Sequence, residues 1–220
     1  IQWAVPVLAQ DSEALPETEP PLPPVSLAQL ATDADLVALV QVLDTDYEYT
    51  REFPSGGTAF LKVLIPYKVS RPLEDIIEVY EEGLHAGECY FDNPTVLEEG
   101  RRHLVFLRFS QDVEDQYNGL ETGCKLEVLV NGDGAYAMRF PPNGLRLSDD
   151  IEAHATPMVF GDAYALLEDE DITPGERNDL LASGYLETTD LRYRYTYGVP
   201  LTAVRQLMGP EGLTLDRSLK

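Results

Sequence analysis

His85 and Cys89 are the residues whose types and spacing first suggest chemistry. Four positions apart, they would share one helix face, where an imidazole can activate a thiol or join it on zinc. Gly87 between them, and the lack of a helical pattern around them, weaken both readings. Cys124 is the only other cysteine. In an exported chain an even pair suggests a disulfide, here Cys89 to Cys124, closing a loop for which chain entropy predicts roughly 3–4 kcal/mol. Two buried free thiols are the alternative, and a catalytic cysteine the outsider. His85, His103 and His154 are scattered and form no H-E-x-x-H spacing; no metal site and no cofactor are expected from them. Glu168-Asp-Glu-Asp171 offers the oxygen ligands a calcium ion prefers, but without the alternating ligands and central glycine of an EF-hand loop. Asp169 and Asp171 could equally favour the start of a helix near Pro174. Asn131-Gly-Asp-Gly134 resembles a fragment of a calcium loop, yet a hairpin turn explains it. There is no G-x-S-x-G, no phosphate-cradling glycine loop and no Ser-His-Asp arrangement. Carboxylates are too abundant for a glycosidase pair to be named without geometry. No catalytic residue is assigned, and the chain reads as a non-enzyme.

Charge narrows the partners. Sixteen basic residues against 39 acidic ones leave a net charge of −23. Such a surface repels phosphate backbones and anionic headgroups, so nucleic acid and membrane surfaces are disfavoured. A basic partner or cations fit it better, and a merely solvated surface in a salty setting is the plainer reading. No run of eighteen apolar residues occurs, so no helical membrane span is expected. Ile1-Gln-Trp-Ala-Val-Pro-Val-Leu-Ala9 looks like the tail of a secretory signal, with an ordered N-terminal strand as the other reading. Export to a periplasmic or extracellular space is the expectation.

The elements that would position these residues are mostly strands. With 220 residues and 44% hydrophobic content, one domain with decorations is expected. Residues 1–25 read as a leader remnant and an acidic, proline-stiffened tether ending in Pro20-Pro-Leu-Pro-Pro24. Residues 26–142 read as the main domain. Ser26-Leu-Ala-Gln29 is a capping box that opens a short helix. Strands are expected over Asp35–Leu43, Thr58–Tyr67, Ile76–Tyr80 and His103–Phe109. A polar loop from Ser110 to Gly123 leads to a fifth strand, Cys124–Val130, returned by Asn131–Gly134 as Ala135–Phe140. The tyrosines after Asp44 could lengthen strand one, with Ser55-Gly-Gly57 as the turn. Residues 143–220 form a C-terminal extension with two short helices packing on the barrel. One is Thr173-capped and ends at Gly184; the other runs from Pro200 to Met208 and stops at Gly209-Pro210. Tyr193–Tyr197 reads as a strand or extended arm. The fold class expected is all-β with a few short helices: a five-stranded antiparallel OB-like barrel plus this extension.

Ala34-Asp-Leu-Val-Ala-Leu-Val-Gln-Val42, Phe60-Leu-Lys-Val-Leu-Ile-Pro-Tyr-Lys68, Ile76-Ile-Glu-Val79 and Glu98-Glu-Gly-Arg-Arg-His-Leu-Val-Phe-Leu107 together resemble the netrin-like module. This is the OB-fold family of the tissue inhibitors of metalloproteinases and their bacterial exported relatives. Cys89 before the Glu-Glu-Gly entry, and Gly198-Val-Pro-Leu201 before a last helix, are similar too. The resemblance covers roughly Ser26 to Phe140 and implies an exported binding module. The inhibitors of that family chelate the protease zinc through a free N-terminal cysteine. Both cysteines here lie in mid-chain, so that mechanism transfers to no residue of this chain.

The expected function is therefore a non-enzymatic interaction module for an unknown protein or small ligand. The loops 44–57 and 83–93 at one barrel mouth would form its surface, with Tyr47, Tyr49, Phe53, His85 and Tyr90 as contacts. A protease inhibitor acting through a loop, and a cryptic hydrolase using carboxylates near His85, are the other readings.

Overall fold

Burial on both faces explains why the first strand is a nearly continuous apolar run. The structure, a computed structural model, describes residues 22–210 and Leu213, except Ala86 and Glu98. The leader-like Ile1–Ala9 and the tether as far as residue 21 lie outside the described residues. Strand β1 spans Leu36–Thr50. Its Leu36, Ala38, Val40 and Val42 join one core, while Val37 and Leu39 join another on the opposite face. β2, Phe53–Val69, pairs antiparallel with it along nearly its whole length. The tyrosines do extend β1, but the turn is at Arg51-Glu52, where Arg51 adopts φ 61°. Ser55–Gly57 lies within β2 instead. Gly57 is needed there for a different reason: at φ 127°, a Cβ would sit 2.2 Å from the Asp46 carbonyl oxygen.

β3, Ile76–Glu82, pairs with β2, and β4, Arg102–Phe109, pairs with the far side of β1. The fifth barrel strand is not the one expected. Gln116–Gly119, inside the segment read as a polar loop, forms β5 and closes the barrel in the order β1-β2-β3-β5-β4-β1. β5 runs antiparallel to β4 but parallel to β3, so the barrel is mixed and not wholly antiparallel. The reason is directional: β3 and β5 leave the same end, and a strand wedged between β3 and β4 cannot oppose both. After an excursion over residues 120–124 the chain returns to the same edge of β4 as β6, Lys125–Val130. The expected fifth strand is therefore β6, and it continues the sheet beyond the barrel.

β6 turns through Asn131–Gly134 into β7, Tyr136–Arg139. The Asn131 side-chain oxygen accepts from the backbone N–H groups of Asp133 and Ala135, which makes the segment a turn and occupies the oxygen a cation would need. β8, Thr156–Pro157, is a two-residue edge that pairs with β12, Tyr197–Pro200, which in turn pairs with β7. β9, Leu166–Leu167, β10, Leu186–Thr188, and β11, Tyr193–Tyr195, make a separate small sheet. The tyrosine-rich stretch is thus two strands in two sheets.

Helix α1, Leu27–Asp33, starts where the capping box places it, with Ser26 Oγ accepting from Gln29 N–H at 3.1 Å. α2, Pro174–Ala182, is capped by Thr173 in the same way, and Gly184 follows its C-cap Ser183 at φ 76°. α3, Leu201–Met208, stops at Gly209. α1 and α3 bury Leu27, Leu30, Val204 and Met208 together with Leu104, Phe106 and Met138 on the outer face of the main sheet. The barrel interior is a second core, and α2 with the small sheet encloses a third. Among the described residues, no helix is long and apolar enough to cross a membrane.

Candidate functional site

The connection between β3 and β4, residues 83–101, has to be held against the barrel by side chains because most of it forms no ladder. Glu81 does much of this. At the end of β3 it is largely buried; one carboxylate oxygen accepts from Cys89 N–H at 2.7 Å, and the other accepts from Glu82 N–H and meets His85 Nε2 at 2.9 Å. Tyr90 donates its hydroxyl to the Gly83 carbonyl at 2.9 Å. The Tyr47 hydroxyl accepts from Phe91 N–H at 3.1 Å, and its ring meets Tyr90 edge-on, centroids 5.1 Å apart. Burial holds the Tyr47 phenol well above its ordinary titration range, and the bond from Phe91 N–H only partly offsets this.

A disulfide between Cys89 and Cys124, Cα atoms 5.8 Å apart, ties this connection to the start of β6. Gly119 makes room for it: a Cβ there would lie 2.6 Å from that of Cys89 and 3.0 Å from that of Cys124. Both sulfurs being bonded, neither is a thiol nucleophile. The dyad and zinc readings of Cys89 fall with that bond.

The sequence-derived contacts divide into two groups. Tyr47, His85 and Tyr90 come together. Leu84, His85, Gly87, Glu88 and Tyr90 line one side of a cleft of about 600 Å³, with Lys125 and Gly144 also lining it. Burial lowers the titration of the Lys125 ammonium, which lies 4.7 Å over the Phe91 ring. Tyr49 and Phe53 instead stand at the tip of the β1–β2 arm, 57% and 61% exposed. β1, β3 and β6 all leave the barrel at this end, so the arm, the 83–101 connection and the 131–134 turn share it. Val96 and Leu97 on the connection are 101% and 96% exposed there.

Beneath the connection lies a partly buried ionic cluster. Glu127 on β6 receives Arg101 Nη1 at 2.6 Å and Arg139 Nη1 at 3.2 Å, and Arg101 Nε reaches Asp92 at 3.2 Å. Arg139 also donates to the Tyr195 hydroxyl at 2.7 Å. His103, paired with Glu127 in register, is 6% exposed, and neither ring nitrogen has a hydrogen-bond partner among the described residues. Burial, and then Lys125, Arg101 and Arg139, push its titration well below the ordinary range, so the imidazole is neutral. It is therefore a packing residue, edge-on to Phe91 at 5.3 Å.

Among the described residues, no three His, Cys, Asp or Glu side chains are grouped to hold a metal ion. In the acidic run, Asp171 accepts from Glu168 N–H, while Asp169 pairs with Arg177 of α2. Sequence reasoning missed Glu81, Lys125 and the Glu127 cluster, which look like any other charges until the register is known. Removing the Tyr47 hydroxyl as Tyr47→Phe strands the Phe91 N–H; the variant should lose about 1–2 kcal/mol in urea unfolding. An unchanged midpoint would mean that Phe91 N–H is satisfied by other means. No family model, curated protein or solved structure matches this chain.

Proposed function

We propose that this chain is an exported binding module whose partner is a protein, taken by the loop end of the barrel. The observation that carries the reading is the group of large apolar side chains standing in solvent at that end: Tyr49, Phe53, Leu84, Val96 and Leu97. Solvated apolar groups held on a stapled, hydrogen-bonded frame are what interfaces are built from. The disulfide suits an oxidising compartment. The closed barrel is compatible with the netrin-like resemblance, and with an inhibitor that works through a loop. The test is cross-linking in the extracytoplasmic fraction of the producing cells, comparing the wild type with a Phe53→Ser, Leu97→Ser variant that unfolds at the same urea concentration. At least one partner should be lost about tenfold. Equal capture by both would overturn the reading. Slowing of a secreted protease by the wild type alone would identify the partner class as a protease.

One observation favours a second reading. His85, paired with Glu81 behind it, lines the 600 Å³ cleft together with Lys125, and a carboxylate-oriented imidazole can move protons. Hydrolysis of model esters, amides or glycosides by the wild type, lost in His85→Ala, would establish it. No turnover above buffer would remove it.

A further inference from the structure

β1 is fifteen residues long, yet β4 covers its outer edge only from Leu36 to Gln41. Among the described residues, the last backbone hydrogen bond across that edge is Val42 N–H to the Arg101 carbonyl. From Leu43 to Thr50 the inner edge is paired with β2 throughout, with bulges at Leu43 and near Tyr49. The outer edge carries no strand among the described residues. Unpaired edge N–H and C=O groups are a template for an added strand.

The side chains along this edge define what fits it. Asp44, Asp46 and Glu48 stand at alternate positions, all exposed, on one face. A second copy of the chain would bring carboxylates against carboxylates, on a molecule already at −23. A strand with Lys or Arg at alternate positions would meet them with opposite charge. Where the edge begins there is a groove of about 500 Å³ between Gln41–Asp44 and Pro94–Val96, with Glu99 and Gly100 also lining it. Exposed Leu43 and Val96 stand beside it, so it suits an apolar side chain at one end of the incoming strand.

We propose that the Leu43–Thr50 edge takes an extended basic segment of a partner protein as an added β-strand. This rests on the reading of the chain as a binding module and names the surface and partner chemistry. Charge selects the segment, and the groove sets its register.

The probe is a blocked synthetic peptide alternating lysine and valine over the length of the edge, added to the full chain at moderate salt. Amide hydrogen exchange should slow about tenfold within 43–50, with little change in the 83–91 connection. Binding should weaken at least about tenfold for a peptide of the same composition with its lysines in one block. It should weaken similarly for the alternating peptide with N-methylated backbone, and for the Asp44→Lys, Asp46→Lys, Glu48→Lys variant. Equal binding of the peptide with its lysines in one block, or of the methylated peptide, would mean attraction by charge alone and overturn strand addition. So would protection elsewhere, absence of binding, or self-association of the free chain that disappears in the triple variant. If cross-linking finds a partner but none of the peptide signatures appears, the module reading survives and only the strand is lost.

Discussion

Replacing Cys89 and Cys124 together by alanine is expected to lower the stability of the chain by about 3–4 kcal/mol. The bridged residues are 35 positions apart, and chain entropy assigns a loop of that size a penalty of this order in the unfolded state. Against a typical total of about 5–15 kcal/mol, that is roughly a fifth or more of what holds the protein folded. The effect is local as well as global. The bond holds the 83–91 connection against the β5–β6 junction beside Gly119, so amide exchange there should rise first, ahead of β1 and β4. The measurement is urea unfolding of the wild type, of the wild type with reductant, and of the double variant. The last two should agree within about 1 kcal/mol, the difference being the packing of two buried sulfurs. If reductant leaves the wild-type midpoint unchanged, the bridge is absent in solution and the compartment argument goes with it.

Acid should weaken the wild type through His103, and His103→Leu should resist that weakening. The folded imidazole titrates well below its ordinary value of 6.5, whereas in the unfolded chain it titrates near that value. Above about pH 6.5 both states carry a neutral ring, and His103 makes stability no more pH-dependent. Below that, the unfolded chain takes up a proton that the folded chain refuses, so stability falls as pH falls, by up to about 1.4 kcal/mol per unit. The groups facing the ring reinforce the refusal. Arg101, Arg139 and Lys125 outnumber Glu127, whose two oxygens already serve Arg101 and Arg139, and Asp92, which serves Arg101. Val40 on β1 and the Phe91 ring offer no charge or hydrogen bond. At neutral pH an apolar replacement should be close to neutral, since no hydrogen bond is lost. By pH 5 the variant should lead by about 2 kcal/mol. Carboxylates elsewhere titrate in both proteins, so the readout is the difference between the two unfolding curves from pH 7.5 to 5. A difference that stays flat across that range would show that the ring is solvated or bonded.

What the sequence by itself determined are the features that depend on neighbours along the chain. Ser26 and Thr173 cap their helices, Gly184 and Gly209 end them, and Asn131–Gly134 turns a hairpin, because each needs only residues within one turn. The four apolar strands were legible for the same reason, since period and β-branching are local. The short β5 was not. Gln116–Gly119 has one buried side chain, Tyr117, and only the gap left between β3 and β4 makes it a strand. The turn was misplaced because two glycines are the strongest local turn signal, whereas Gly57 answers to the nearness of Asp46 across the ladder. Likewise, nothing in the string separates Glu81 or Glu127 from the other acidic residues. Their roles come from register, which carries Cys89 N–H to one and two guanidinium groups to the other. Tyr47, His85 and Tyr90 were named together and meet; Tyr49 and Phe53 were named with them and stand apart, because the length of the β1–β2 arm is set by pairing across strands. Tertiary structure also decided the edge from Leu43 to Thr50 that no strand among the described residues covers, since β4 ends before β1 does.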